Sequence, residues 1–237
     1  MSEQSIILKT GYCGKIPSKG DFIQSDFDFD FLSIWSEWLQ SVIAVSKEQL
    51  EQNWLDCYLT SPVWHFSLSP NVCGESAFIG TVIPSVDRVS RYFPFTVVAK
   101  HNLTAVQAWH ENEWDVNFEN KILEVLEDDL DIDTWFEKLS EQTELLQVEC
   151  IKVNDVESLD TIKKGWVIKG KHSPTVLDLL HQQYNLHFND YSIWWTTGSD
   201  LIEPCFIVTD GLPQVSQFVS MLDGQWKKRD WNICELG

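Results

Sequence analysis

The sequence predicts an α/β protein, a layered sandwich with a mixed central sheet and helices on both faces, formed as a single domain over residues 1–237. Three observations lead there. Strand-like and helix-like segments alternate along the whole chain, the pattern of a sheet covered by helices. Residues 77–83 and 94–99 are nearly continuous apolar runs, as expected of strands buried on both faces. The strand-like segments 191–196 and 205–209 are joined by a short connection, which makes at least part of the sheet antiparallel.

The elements follow in order. A short strand is expected at residues 6–8, then a loop of defined shape over GYCGKIPSKGDF, residues 11–22, where three glycines and a proline punctuate twelve residues. From 31 to 50 the spacing predicts a helix, with Phe31, Trp35, Trp38, Leu39 and Val42 on one face and Ser36, Glu37 and Gln40 off it. Residues 63–68 read as a strand that ends at a Pro70-Asn71 turn, before the two apolar runs already named. Between those runs sits PSVDRVSRYFP, a polar stretch trapped between core strands. Residues 103–147 read as helical throughout. The pattern then gives a strand near 166–169, a helix at 174–184, the strands 191–196 and 205–209, and a helix at 213–222. Proline opens both late helices, where a first-turn N–H has no partner to lose. No low-complexity linker and no internal repeat divides the chain.

Twelve tryptophans and thirteen phenylalanines supply large apolar areas for a core, with some rings available for a contact surface. The formal net charge of −19 repels phosphate backbones and anionic lipid, so neither free nucleic acid nor a bare membrane is expected as a partner. No run of about 18 apolar residues is present to cross a bilayer. The N-terminal stretch lacks the basic-then-apolar order of a secretory signal, so a cytoplasmic location is expected. The six scattered cysteines then read as reduced and mostly buried thiols. Much of the acidic excess lies at 111–137, including Glu127, Asp128, Asp129, Asp131 and Asp133, and reads as a solvated face or a docking patch.

Familiar chemical motifs are approached but not met. Gly11, Gly14 and Lys15 suggest a phosphate-binding loop, but Ile16 and Pro17 stand where a magnesium-holding hydroxyl belongs, and the upstream glycine is too close. Asp26, Asp28, Asp30 and Glu37 match calcium-loop spacing, but Phe31 replaces the glycine of the sharp turn. The alternating Phe27, Phe29 and Phe31 read as packing, and the aspartates suit the positive end of the following helix. No histidine pair has metal-ligand helical spacing, and no metal or cofactor is expected. Ser85, Asp87 and a distant His65 would make a triad only if the fold assembled them, and Ser85 lacks the GxSxG elbow. The plainer reading has Ser85 and Asp87 shape a turn by bonding backbone N–H groups.

Two polar clusters stand out on this acidic chain. Asp87, Arg88, Arg91 and Tyr92 form one, and Lys15, Ser18, Lys19 and Asp21 the other. Arginine carries a fixed planar fork of donors suited to carboxylates. Either Asp87 pairs internally with one of the arginines and pins its loop, or Arg88 or Arg91 reaches a partner.

GYCGKIPSKGDF, YLTSPVWHFSLSPNVCG, IPSVDRVSRYFP, YSIWWTTGSDLIEPCFIVTDGLP and MLDGQW, in that order, resemble the type VI secretion-associated TagF (ImpM) family from about Gly11 to Trp226. The resemblance implies an α/β sandwich and a cytoplasmic accessory protein, not an enzyme, that represses secretion after translation. It implies a forkhead-associated scaffold protein as partner and possible association with a PP2C-type phosphatase, to which some members are fused. It supplies no catalytic residues. Its motif positions here, Lys15, Ser18, Asp21, Ser85, Asp87, Arg88, Arg91, Tyr92 and Trp195 among them, become candidates for structure or interaction, with Lys19 beside them. The family pattern often has glycine where Ser90 stands, and the stretch after Lys121 matches it poorly.

Overall fold

The computed structural model describes residues 9–110, 114–143 and 175–235. Among these residues seven strands form one sheet: β1 (Lys9–Gly14), β2 (Ile23–Gln24), β3 (Trp64–Leu68), β4 (Ala77–Ile83), β5 (Phe95–His101), β6 (Tyr191–Thr196) and β7 (Cys205–Asp210). Their spatial order is β2-β1-β5-β4-β3-β6-β7. The α/β layering is as expected, but every pairing among the described strands is antiparallel, so the sheet is not mixed. The strands β3, β4 and β5 follow one another as hairpins, and helices inserted between other strands reproduce the alternation that a parallel sheet would give.

Eight α-helices among the described residues accompany it: α1 (Phe29–Leu50), α2 (Trp54–Leu59), α3 (Ala105–His110), α4 (Trp114–Glu124), α5 (Ile132–Thr143), α6 (Val176–Phe188), α7 (Val215–Phe218) and α8 (Ser220–Asp223). They cover both faces. One face holds α1, α7 and α8 against Phe66, Phe78, Val82, Val98 and Trp194. The other holds residues of α3, α4, α5 and α6 against Ile79, Ile83, Phe95, Val97 and Ile193. Alternate residues of β4 thus serve opposite cores, and all seven are buried, as its unbroken apolar run requires.

The long helix α1 starts where Asp28 caps it, its carboxylate accepting the Phe31 N–H at 3.2 Å. Phe31, Leu32, Trp35, Trp38, Leu39, Val42 and Ile43 make its buried stripe. Trp35 sits at the centre, stacked on Trp194 at 5.8 Å and on Phe31 at 5.3 Å, with its indole N–H on the Thr96 hydroxyl at 2.9 Å. Phe27 and Phe31 pack as expected, but Phe29 between them points to solvent and is 81% exposed.

Several other expectations change. The strand placed at 6–8 and the one near 166–169 lie outside the described residues, as does Pro174. The first glycines of GYCGKIPSKGDF belong to β1 and not to a loop. A β-carbon at Gly11 would collide with the Phe27 ring, and one at Gly14 with the Pro94 carbonyl oxygen, so these glycines serve close approach. Of the helical stretch 103–147, residues 111–113 and 144–147 lie outside the described residues, and the remainder is interrupted between α4 and α5. Asp131 ends the gap before α5, its carboxylate accepting from the Asp133 N–H and the Thr134 hydroxyl. Glu127, Asp128 and Asp129 are exposed in that gap. The helix placed at 213–222 is two short ones, with Pro213 ahead of the Gln214 cap. The short α2 was not foreseen. Cys13, Cys57 and Cys73 are buried free thiols, Cys205 is half-buried and Cys234 exposed. No helix of the described residues is long and apolar enough to cross a membrane.

Candidate functional site

Because β1 pairs with β5 and β5 with β4, the loop leaving β1 and the loop joining β4 to β5 emerge side by side at one end of the sheet. Gly14, with φ of +136°, lets β1 lie directly against Pro94 and delivers Lys15 to the neighbouring loop. The β4–β5 loop is itself a small hairpin. Val86 bridges Tyr92, the Asp87 N–H donates to the Arg91 carbonyl at 3.1 Å, and the tip is Arg88-Val89-Ser90.

Asp87 ties the two loops together. Its side chain is wholly buried. One oxygen accepts the Val89 and Arg91 backbone N–H groups at 3.0 and 2.9 Å, and the other takes Arg91 Nε at 2.7 Å and Lys15 Nζ at 3.0 Å. Burial alone would push the Asp87 carboxyl up. The bonds from the Arg91 N–H, Lys15, the Arg91 guanidinium and the Val89 N–H outweigh it and hold the group well below the usual carboxylate range. Arg91 reaches on to the Gly20 carbonyl and to Asp21 Oδ1, the latter at 3.1 Å, while the Arg88 N–H donates to the Lys19 carbonyl at 2.9 Å. An ion-pair network and main-chain bonds therefore hold both loops in one arrangement.

Nine of the ten candidate residues meet here. Lys15, Asp21, Asp87 and Arg91 are the ionic members. Lys19 contributes its carbonyl, and Arg88 its N–H and an exposed side chain. Ser85 is buried with its main chain clasped by Tyr58, whose hydroxyl donates to the Ser85 carbonyl at 2.9 Å and accepts the Ser85 N–H at 3.0 Å. Tyr92 lies edge-on to Trp54 and Tyr58, at 5.6 and 5.9 Å between ring centres. The Ser18 and Ser85 hydroxyl oxygens are buried without a hydrogen-bond partner among the described residues. Trp195 does not join them. It is buried on β6 against the His65 ring, 5.5 Å away, in the opposite core. The two readings of the arginines divide between the residues: Arg91 is the internal partner of Asp87, and Arg88 faces out. Tyr58 and Trp54 of α2 are site supports that sequence reasoning missed. Their only signal was an aromatic pair four residues apart.

The arrangement does not build the triad. His65 Nδ1 on β3 lies 2.8 Å from the Thr81 hydroxyl on β4, and no base contacts the Ser85 hydroxyl among the described residues. Asp87 does bond backbone N–H groups to shape the turn, as the plainer reading has it, but Ser85 does so only through its main chain. Asp28, a calcium-loop position by spacing, caps α1 and pairs with Lys100 at 3.0 Å. Among the described residues no group of three or more His, Cys, Asp or Glu is placed to hold a metal ion. What the site offers is a firm, outward-facing loop tip whose Arg88 guanidinium is exposed and makes no ion pair among the described residues.

The model of the TagF N-terminal domain, described as type VI secretion system-associated, matches residues 11–142, which include both loops, α1 and α2. Among solved structures, the crystal structure of PA0076 from Pseudomonas aeruginosa PAO1, at 2.05 Å resolution, is similar over 97% of this chain and 98% of its own, with 29% identity and a TM-score of 0.74. No curated protein matches the chain. With the match spanning more than half of its length and carrying the site, the chain belongs to the type VI secretion system-associated TagF family.

Proposed function

We propose that this protein acts in the cytoplasm as a post-translational repressor of type VI secretion, binding the forkhead-associated scaffold protein through the two tied loops and withholding it from assembly. The observation that carries the reading is the Arg88-Val89-Ser90 tip, exposed and yet fixed at its base by the bonds to Asp87. A pre-ordered loop loses little conformational freedom on binding, so its contacts convert to affinity. Lys15, Lys19, Arg88 and Arg91 against Asp21 and Asp87 also leave a local positive excess on a chain of net charge −19, which favours an acidic patch on the partner. Binding and not catalysis is supported by the chemistry of the loops: the Ser85 hydroxyl has no base beside it among the described residues, and Asp87 is saturated with donors. A PP2C-type phosphatase is a second candidate partner, because some family members are fused to one.

The test is direct binding of the purified scaffold protein to wild type and to Arg88→Glu. A loss of about tenfold or more with an unchanged melting temperature is expected, the scale of one central charged contact. Undiminished affinity would remove Arg88 from the interface. In cells, deletion of the gene is expected to raise secretion. Abolished secretion would instead mark a structural subunit of the apparatus.

A further inference from the structure

The two edges of the described sheet differ. β2, on one side, is two residues long, a length that discourages a neighbour from pairing with it. β7, on the other, runs six residues as Cys-Phe-Ile-Val-Thr-Asp and pairs one-to-one with β6 without a bulge. It carries no lysine and no proline, and its one charge, Asp210, stands at its end. The devices that usually blunt an edge are therefore missing along its length. The register fixes which main-chain groups face out. The Gly211 N–H donates to the Asp190 carbonyl at 2.8 Å, and that opposed pair continues the β6–β7 ladder. Bonded pairs alternate in an antiparallel ladder, so Cys205, Ile207 and Thr209 bond β6, while the N–H and C=O groups of Phe206, Val208 and Asp210 point away from it. No described residue bonds those outward groups.

A row of donors and acceptors at this spacing is matched by another extended strand. The same edge on a second copy matches it in register. A two-fold axis through Val208 sets that residue against its own copy and each Phe206 against an Asp210. All three outward residues then bond at once, because the middle one is the centre of the set. Charge at the seam does not oppose this register. Asp210 has Phe206 opposite and Pro204 and Val208 on the diagonals, so no carboxylate meets another. Phe206, 41% exposed and 4.7 Å from the Trp109 ring, shares a face of β7 with the half-buried Val208. The pairing would thus join two Phe206–Trp109 pairs through a Val208–Val208 contact in one apolar strip. We propose that β7 pairs antiparallel with β7 of a second copy of this chain, making one continuous sheet across a two-fold axis. A seam of six residues from each copy is well short of the roughly 20–30 of a standard interface, and two copies of net charge −19 repel at long range. The dimer is accordingly weak and concentration-dependent.

Sedimentation of the full-length protein at rising concentration tests this. A reversible monomer–dimer equilibrium is expected, and added salt is expected to favour the dimer by screening the two net charges. Val208→Pro removes an N–H that β6 does not use, and Phe206→Lys places a charge at the seam. Each is expected to weaken the dimer about tenfold or more. Arg88→Glu is expected to leave it unchanged, since β3 and β6 separate β7 from the strands that carry the loop. Amide exchange reads the register itself. On concentrating the wild type, the Phe206, Val208 and Asp210 amides should slow several-fold relative to those of Ile207 and Thr209, which β6 already protects. A protein that stays monomeric from micromolar to near-millimolar concentration would overturn the proposal and leave the edge to a strand of another protein. So would a dimer that both variants retain at full strength, a dimer that salt weakens, or exchange at those three amides that concentration does not slow.

Discussion

Asp87 and Arg91 meet twice: the Arg91 backbone N–H donates to one carboxylate oxygen at 2.9 Å, and its Nε to the other at 2.7 Å. The first contact closes the turn and the second fixes the side chain that leaves it, so one carboxylate sets both the loop and its ionic link to Lys15 and Asp21. The Asp87 carboxyl is held below its ordinary value near 3.9. The stability contributed by its ionised form is therefore complete above about pH 4 and is lost as pH falls below that. Asp87→Asn is expected to be about 2 kcal/mol less stable than wild type at pH 7, the low side for breaking a buried pair because one partner is half exposed. Urea titrations should show this deficit narrowing as pH falls below about 4. A constant deficit would mean that the ion pairs contribute nothing beyond neutral hydrogen bonds.

Ser90 sits at the loop tip with φ of +64°, a left-handed conformation that costs a side chain about 1–2 kcal/mol. Glycine adopts the conformation freely, at some cost in unfolded-state entropy. Ser90→Gly is expected to raise stability by about 0.5–1 kcal/mol, read from the midpoint of denaturant unfolding. A lowered midpoint would show that the serine compensates elsewhere.

His101, at the end of β5, is buried, and burial pushes its pKa down to about 4. The Leu103 N–H donates to its Nδ1 at 3.1 Å, a contact that requires the ring nitrogen to be unprotonated. Above about pH 6.5 neither the folded nor the unfolded chain protonates it, and the group does not affect stability. Between there and pH 4 the unfolded chain takes up a proton that the folded chain refuses, which removes about 3 kcal/mol. Melting temperatures from pH 7 to pH 4 are expected to fall for wild type and to fall less steeply for His101→Gln. Parallel curves would assign the acid sensitivity to other groups.

What could be read from the sequence follows how local each signal is. The stripe of α1 and the apolar run of β4 are properties of contiguous residues, and both stand where they were expected. The β1 glycines were read as loop because composition cannot tell glycine used for a turn from glycine used to admit a Phe27 ring. The sheet was taken as mixed because strand–helix alternation is silent about direction. The Asp87–Arg91 pair lies within four residues and was foreseen, as one of two alternatives. Lys15 reaches it only through the pairing of β1 with β5, a contact across some eighty residues that periodicity does not encode. Trp195 was taken as a candidate by resemblance, but it is buried on β6 against residues of the second core, so its place is structural.

Tyr58 gives the sharpest test of how far the fold supports the loop. From the six-residue α2 it projects one hydroxyl that both accepts the Ser85 N–H and donates to the Ser85 carbonyl. That carbonyl also receives the Phe93 N–H at 3.1 Å, so removing the hydroxyl leaves it one partner but strands the Ser85 N–H in a buried place. A buried unpaired amide costs about 1–3 kcal/mol, and Tyr58→Phe changes nothing else in the ring. The variant is expected to lose about 2 kcal/mol in urea unfolding. Its Ser85 amide should exchange with deuterium well ahead of those in β4, since the loss acts locally before it acts globally. If the variant matched wild type in both measurements, the loop would be held by the Asp87 network alone and α2 would be a bystander.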